Sequence, residues 1–158
     1  MVGATNEAQE VSFGKILEPY VADPTSVFVI SSDFCHWGER FSYTFYLPSS
    51  SSAASEGINL RSRPSGQSIH ESIGRLDQLS MDAIHSGKYS AFIENLSTTG
   101  NTVCGRHPIG VMMSALEQYR AAKGADVGIF KFVRYERSSD AVRLSDSSVS
   151  YASAFAVF

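Results

Sequence analysis

Apolar residues recur at i, i+3, i+4 and i+7 near the start of the chain, where Phe13, Ile16, Leu17 and Tyr20 form one stripe of a predicted helix over residues 6–20. Asn6 supplies its N-cap, with acidic residues in the first turn. Pro19 is expected to end or kink this helix, and Asp23-Pro24 marks the turn beyond it. Residues 27–31 are an apolar, β-branched run that predicts a short strand buried on both faces. The aromatic stretch Tyr43-Thr44-Phe45-Tyr46 fits strand or loop equally. Residues 48–66, rich in serine with Pro48, Gly57, Pro64 and Gly66, predict a flexible insertion loop within the domain.

Three further helices follow. Ser68 and Glu71 have the spacing of a capping box, ahead of an inner face of Ile69, Ile73 and Leu76. Tyr89, Phe92, Ile93 and Leu96 line one side of the next helix, which breaks at residues 98–101. Cys104-Gly105-Arg106-His107-Pro108 opens the fourth, with a stripe of Ile109, Met112, Leu116 and Tyr119 and an end at Ala122-Lys123-Gly124. Two strands close the chain. Over 127–135, Ile129, Val133 and Tyr135 share a face interrupted by Lys131. Over 148–157, Val149, Tyr151, Phe155 and Val157 alternate with Ser150, Ala152, Ala154 and Ala156, a small face that lets a helix or another backbone approach closely. The fold class is therefore α/β, a layered sheet with flanking helices. Three clear strands make a thin sheet, and the pattern reads as a piece of a larger α/β domain.

Composition narrows the function classes. The chain has 158 residues, 43% of them apolar and 18% charged, with a net charge of −3. That suits one globular domain and gives no basic excess for nucleic acid. The charge skew is mild: two basic and seven acidic residues over 1–56, then eleven and nine over 57–158. No apolar run is long enough to span a bilayer, and the first residues lack the layout of a signal peptide. Two cysteines cannot staple a domain of this size, which points to a reducing compartment, cytoplasmic and also nuclear.

Two segments carry chemistry. Ser31-Ser32-Asp33-Phe34-Cys35-His36-Trp37-Gly38 sits past the carboxyl end of a predicted strand, where ligands bind in open α/β sheets. His36 is suited to moving protons near neutral pH, with Asp33 orienting it. Taken singly, Asp33 also reads as a turn cap, Cys35 as a small core group and Trp37 as core. The second segment, Asn101 to Pro108, places Cys104 at a helix N-terminus, where a thiolate is stabilised and can act as metal ligand or nucleophile. The competing reading is an inert buried cysteine, with His107 bonding a neighbouring loop. The spacing is not that of a zinc finger. His70 and His85 read as surface residues. Because His36 follows a strand and Cys104 precedes a helix, both are expected to face one cleft.

Val29-Ile30-Ser31-Ser32-Asp33-Phe34-Cys35-His36-Trp37-Gly38, Cys104-Gly105-Arg106-His107-Pro108-Ile109-Gly110 and Asp146 to Ala152 resemble the Memo family, named for a mediator of ErbB2-driven cell motility, in order and approximate separation. Phe13-Gly14-Lys15 to Ala22-Asp23-Pro24 resembles the same family, whereas residues 48–66 look longer than its usual loop. The resemblance implies a fold shared with class III extradiol dioxygenases. It also implies a metal site of two histidines and one cysteine, with a further histidine beside it. By motif position Cys104 matches the cysteine ligand and His36 the neighbouring histidine, an acid–base catalyst in the dioxygenases, with Asp33 next to it. The two histidine ligands have no counterpart here. The chain thus reads as the C-terminal half of one Memo-like domain over 1–158, truncated at its N-terminus.

The leading functional expectation is a copper- or iron-binding, redox-related protein with a signalling or motility role, binding its metal weakly through this chain alone. A second is a non-catalytic module for a peptide or a phosphotyrosine peptide, for which Arg40 and Arg106 are the cations near the motifs. A third is an incomplete fragment without independent function.

Overall fold

In the computed structural model, which describes residues 3–51, 53–62, 64, 66–123 and 127–158, nine α-helices and strands, with short 3₁₀ turns at Glu39–Phe41 and Ala54–Glu56, follow one another among the described residues. They are α1 (Glu7–Val21), β1 (His36–Trp37), β2 (Phe45–Tyr46), β3 (Ile58–Asn59), α2 (Ile69–His85), α3 (Tyr89–Thr99), α4 (Arg106–Lys123), β4 (Lys131–Arg137) and β5 (Ser148–Phe155). Gly124, the expected helix stop, lies outside the described residues, as do Ser52, Arg63 and Ser65 of the 48–66 stretch. The described part of that stretch holds a single 3₁₀ turn, Ala54–Glu56, and β3, which pairs with β2.

The main sheet has the order β1-β5-β4, all antiparallel. Helices back one face of it. The alternation in β5 sorts itself as its side-chain sizes dictate. Ser148 and Ser150 are fully buried, and Ala152 and Ala156 pack toward the helices, while Tyr151, Phe155 and Val157 point to solvent. Small side chains let the helical layer approach. A cavity of about 350 Å³ remains between this face and α4, lined mainly by Phe28, Ile30, Phe130, Phe132, Met112 and Leu116.

Residues 27–31 are not a strand buried on both faces. They run extended with one side out: Val27 is 86% and Val29 91% exposed, while Phe28 and Ile30 pack inward. Pairing with β5 begins only at Phe34, whose N–H donates to Ser150 O at 2.8 Å. The expected face of β4 also changes. Val133 is exposed, and the inward residues are Phe132 and Tyr135, three apart. A bulge between Phe132 and Arg134 inserts the extra residue that puts both on one side.

The stripe foreseen in α1 is largely wrong. Phe13, Ile16 and Tyr20 are exposed, and the buried residues are Glu10, Gly14 and Val21. Close approach selects this face. A Cβ on Gly14 would lie 2.6 Å from Ser114 Oγ and 2.9 Å from Ala115 N of α4. Pro19 neither ends nor precedes the end of the helix by a full turn; α1 continues to Val21. The predicted N-cap is present, as Gln9 N–H donates to Asn6 Oδ1 and Gln9 Oε1 accepts from Asn6 N–H. α2 has its capping-box partners too, since Ser68 N–H donates to Glu71 Oε2 at 2.9 Å. α4 carries more than a stripe. Every residue from Ile109 to Leu116 is buried, because α1 covers one side and the sheet another.

Val133, Tyr151 and Phe155 of β4 and β5 are exposed, as are Val27, Val29 and Val157 outside the strands. Exposed apolar side chains of this kind drive association. The isolated chain is expected to self-associate in sedimentation velocity at micromolar concentration, and Val29→Lys with Val133→Lys to shift it toward monomer. A wild-type chain that stays monomeric as concentration rises would contradict this.

Candidate functional site

Two chain segments meet beside β1. Gly105 makes the meeting possible: a Cβ there would lie 2.4 Å from Ser32 Cβ and 2.7 Å from Ser31 O. Its N–H donates to Ser32 Oγ at 2.9 Å, and Ser32 Oγ–H donates to Asp33 O at 2.7 Å. One residue along, Cys104 N–H donates to Asp33 O at 3.3 Å and Asp33 N–H donates to Cys104 Sγ at 3.1 Å. The amide N–H aimed at the sulfur fixes Cys104 beside Asp33. Cys104 is exposed, so it is not an inert core thiol.

His36 is clamped by Thr102. Its N–H donates to Thr102 Oγ1 at 2.6 Å, and Thr102 Oγ1–H donates back to His36 O at 3.1 Å. Its ring Nδ1 lies 3.0 Å from Thr102 O. A carbonyl only accepts, so Nδ1 carries a proton and the neutral ring keeps its lone pair on Nε2. Nε2 lies 3.5 Å from Asp33 Oδ2. Phe41 packs on the imidazole with ring centroids 5.3 Å apart, and the Arg40 guanidinium sits 4.8 Å from the Phe41 centroid.

Asp33, His36 and Cys104 are therefore gathered around one residue, Asp33, which touches both of the others. The arrangement can hold a proton between a carboxylate and an imidazole, next to an accessible sulfur. Among the described residues no group of three or more His, Cys, Asp and Glu side chains is arranged to hold a metal ion. A cysteine sulfur and an imidazole nitrogen, each beside Asp33, are donors of the kind that suit a soft ion of low coordination number. They do not make a complete iron site from this chain's own side chains.

The other candidates separate cleanly. Cys35 is fully buried, and burial pushes its thiol well above the usual range. Trp37 is core, its indole N–H donating to Phe45 O at 2.8 Å. His107 is taken up by Glu10 of α1, 2.8 Å from Oε1. His85 is exposed and bonds Phe130 O at 2.8 Å; His70 is half-buried rather than a plain surface residue. Thr102 and Ser32 also position the site, and nothing in their local sequence marks them for it. Their function depends on contacts 66 and 73 residues away in sequence.

A helix-backed antiparallel sheet with a thiol, an imidazole and a carboxylate at the junction of two chain segments defines an α/β protein with a candidate metal or acid–base site. The sequence matches the family described as Memo-like protein over residues 1–155, and the chain belongs to that family. It is 40% identical over 158 residues to the MEMO1 family protein C4H3.04c of Schizosaccharomyces pombe, covering 99% of this chain and 50% of that protein. It is 41% identical to Protein MEMO1 of Xenopus laevis and 40% identical to that of Homo sapiens, each over 152 residues, 96% of this chain and 45% of the relative. The chain spans about half the length of the curated relatives it matches. The restriction of the resemblance to a C-terminal half is not borne out, since the family match runs along nearly the whole chain. No helix among the described residues is long and apolar enough to cross a membrane.

Proposed function

We propose that the Asp33–His36–Cys104 cleft binds a copper or iron ion and serves redox-related chemistry, with copper(I) the better match. One observation carries the reading: an exposed cysteine sulfur, supported by a backbone N–H, shares its neighbour Asp33 with an imidazole whose Nε2 is free to accept. Cys104 would be the anchoring ligand and His36 the second donor or the acid–base group. A soft thiolate with an imidazole favours copper(I) over harder ions. When bound, copper or iron would supply one-electron chemistry. The chain's own groups do the rest. Asp33 lies beside Nε2, Thr102 fixes the Nδ1–H tautomer, and Phe41 packs on the ring. The dioxygenase-like and signalling roles of the family remain part of this reading, in a reducing compartment where both cysteines stay free.

The peptide-binding alternative draws on Arg40, whose exposed guanidinium stacks on the Phe41 that packs against His36. A titration separates the two. Under reducing conditions, copper(I) delivered from a chromophoric chelator should bind weakly, Cys104→Ala should abolish binding, and Cys35→Ala should leave it unchanged. Loss with Cys35→Ala and not with Cys104→Ala removes the assignment. Saturable binding of a phosphotyrosine peptide, lost in Arg40→Ala, with no copper bound, would favour the alternative.

A further inference from the structure

Asp77 has no part in the cleft, yet it ties the cleft's two halves together. It lies on α2 and is fully buried. Its Oδ1 accepts from Cys35 N–H at 3.1 Å and from Asn101 Nδ2–H at 3.1 Å. Its Oδ2 accepts from Tyr135 O–H at 2.7 Å, and the same hydroxyl lies 3.1 Å from Ser150 Oγ. Cys35 sits between Asp33 and His36. Asn101 precedes Thr102 and Cys104. One carboxylate oxygen thus holds both site segments, and the other is held by β4 and β5.

We infer that Asp77 is the positioning residue that sets His36 and Cys104 relative to each other. This rests on the reading of Asp33, His36 and Cys104 as one site. Three features support it over a purely structural role. First, a carboxylate is costly to bury, and burial does push this one above its ordinary range. An apolar side chain would serve the core better. Second, its oxygens meet only donors, two of them on the two site segments. Third, the clamp of His36 by Thr102 can form only if the 101–104 segment lies in register with residues 35–36, and Asp77 is the side chain that bonds both. Asn101 adds a second anchor to α2, its Nδ2–H also donating to Ser80 Oγ at 2.9 Å.

The geometry distinguishes two substitutions. Asp77→Asn can keep every bond. Its Oδ1 accepts from Cys35 and Asn101, its Nδ2 donates to the Tyr135 oxygen, and the Tyr135 hydroxyl turns to donate to Ser150 Oγ. Asp77→Ala releases both segments at once. Tyr135→Phe perturbs the same carboxylate but touches neither segment, so it controls for a general loosening of the core.

The test reads the site without metal. Alkylation of Cys104 by iodoacetamide at fixed pH reports its surroundings, since Cys35 is buried. Long-range ¹H–¹⁵N spectra report the His36 tautomer. Asp77→Ala should change the alkylation rate by about threefold or more and replace the single Nδ1–H tautomer by a mixture. Asp77→Asn should restore both readouts, and Tyr135→Phe should leave them as in the wild type. Should Asp77→Ala not fold, Asn101→Ala takes its place for the alkylation arm and should likewise change the rate by about threefold or more. A folded Asp77→Ala, or Asn101→Ala, with wild-type readouts overturns the inference, as does a Tyr135→Phe that moves them equally. A parallel copper(I) titration of the wild type reports separately on the metal reading. Its failure leaves the positioning result standing.

Discussion

Replacing Trp37 by alanine is expected to lower unfolding stability by about 4 kcal/mol, a large share of what a domain of this size possesses. Trp37 is completely buried among Cys35, Tyr43, Phe45 and Tyr46 in the cluster that joins the main sheet to the small β2–β3 ribbon. Its indole N–H donates to Phe45 O, so truncation leaves a cavity and an unpaired buried carbonyl together. Trp37 also pairs with Ser148 of β5, next to the His36–Val149 pair. The loss should therefore reach the site: amide exchange at His36 and Phe34 should speed up along with global destabilisation. Urea unfolding followed by far-ultraviolet circular dichroism measures the first effect. A change below about 1 kcal/mol would show that this cluster is not the main core, since a well-packed tryptophan cannot be removed so cheaply.

The second large effect is expected at Glu10. Its carboxylate is buried between α1, α3 and α4. Oε2 accepts from Tyr89 O–H at 2.6 Å, and Oε1 accepts from Thr5 Oγ1–H at 2.9 Å and lies 2.8 Å from His107 Nδ1. Burial and the neighbouring carboxylate hold the Tyr89 hydroxyl far above its ordinary range, so it stays a donor at all working pH values. Glu10→Ala strands this buried hydroxyl and unties α1 from the first turn of α4. The expected cost is about 3 kcal/mol. Glu10→Gln keeps the shape and one acceptor, and should cost less than half of that. Equal stabilities for wild type and Glu10→Ala in the same urea series would mean that the packing of α1 on α4 suffices to hold it. His107 then has no part in docking α1.

Local periodicity and chain chemistry determined a good part of this protein. All four helices were legible, because their apolar spacing and their cap residues act within a few positions of each other. Asn6 with Gln9 and Ser68 with Glu71 are such local pairs. The family resemblance and the two motif segments were likewise on the surface of the sequence, as was the division of β5 into a large and a small face. Sidedness was not. Whether α1 turns Phe13 or Gly14 inward depends on how closely α4 approaches, and whether residues 27–31 are covered on both faces depends on neighbours far away in the chain. The β4 bulge reversed the alternation at one residue, and no local signal in Phe132-Val133-Arg134 marks it. Asp77 left a trace, a carboxylate on the same helical face as Ile73, Leu76 and Ser80, but a helical wheel shows only that it is buried, not what it bonds. The separation of Cys104 from Cys35, one exposed and one fully buried, and the meeting of Asp33, His36 and Cys104 were decided by tertiary structure alone. Sequence determines which groups exist; backbone-to-side-chain hydrogen bonds across 66 to 73 residues bring them to one place.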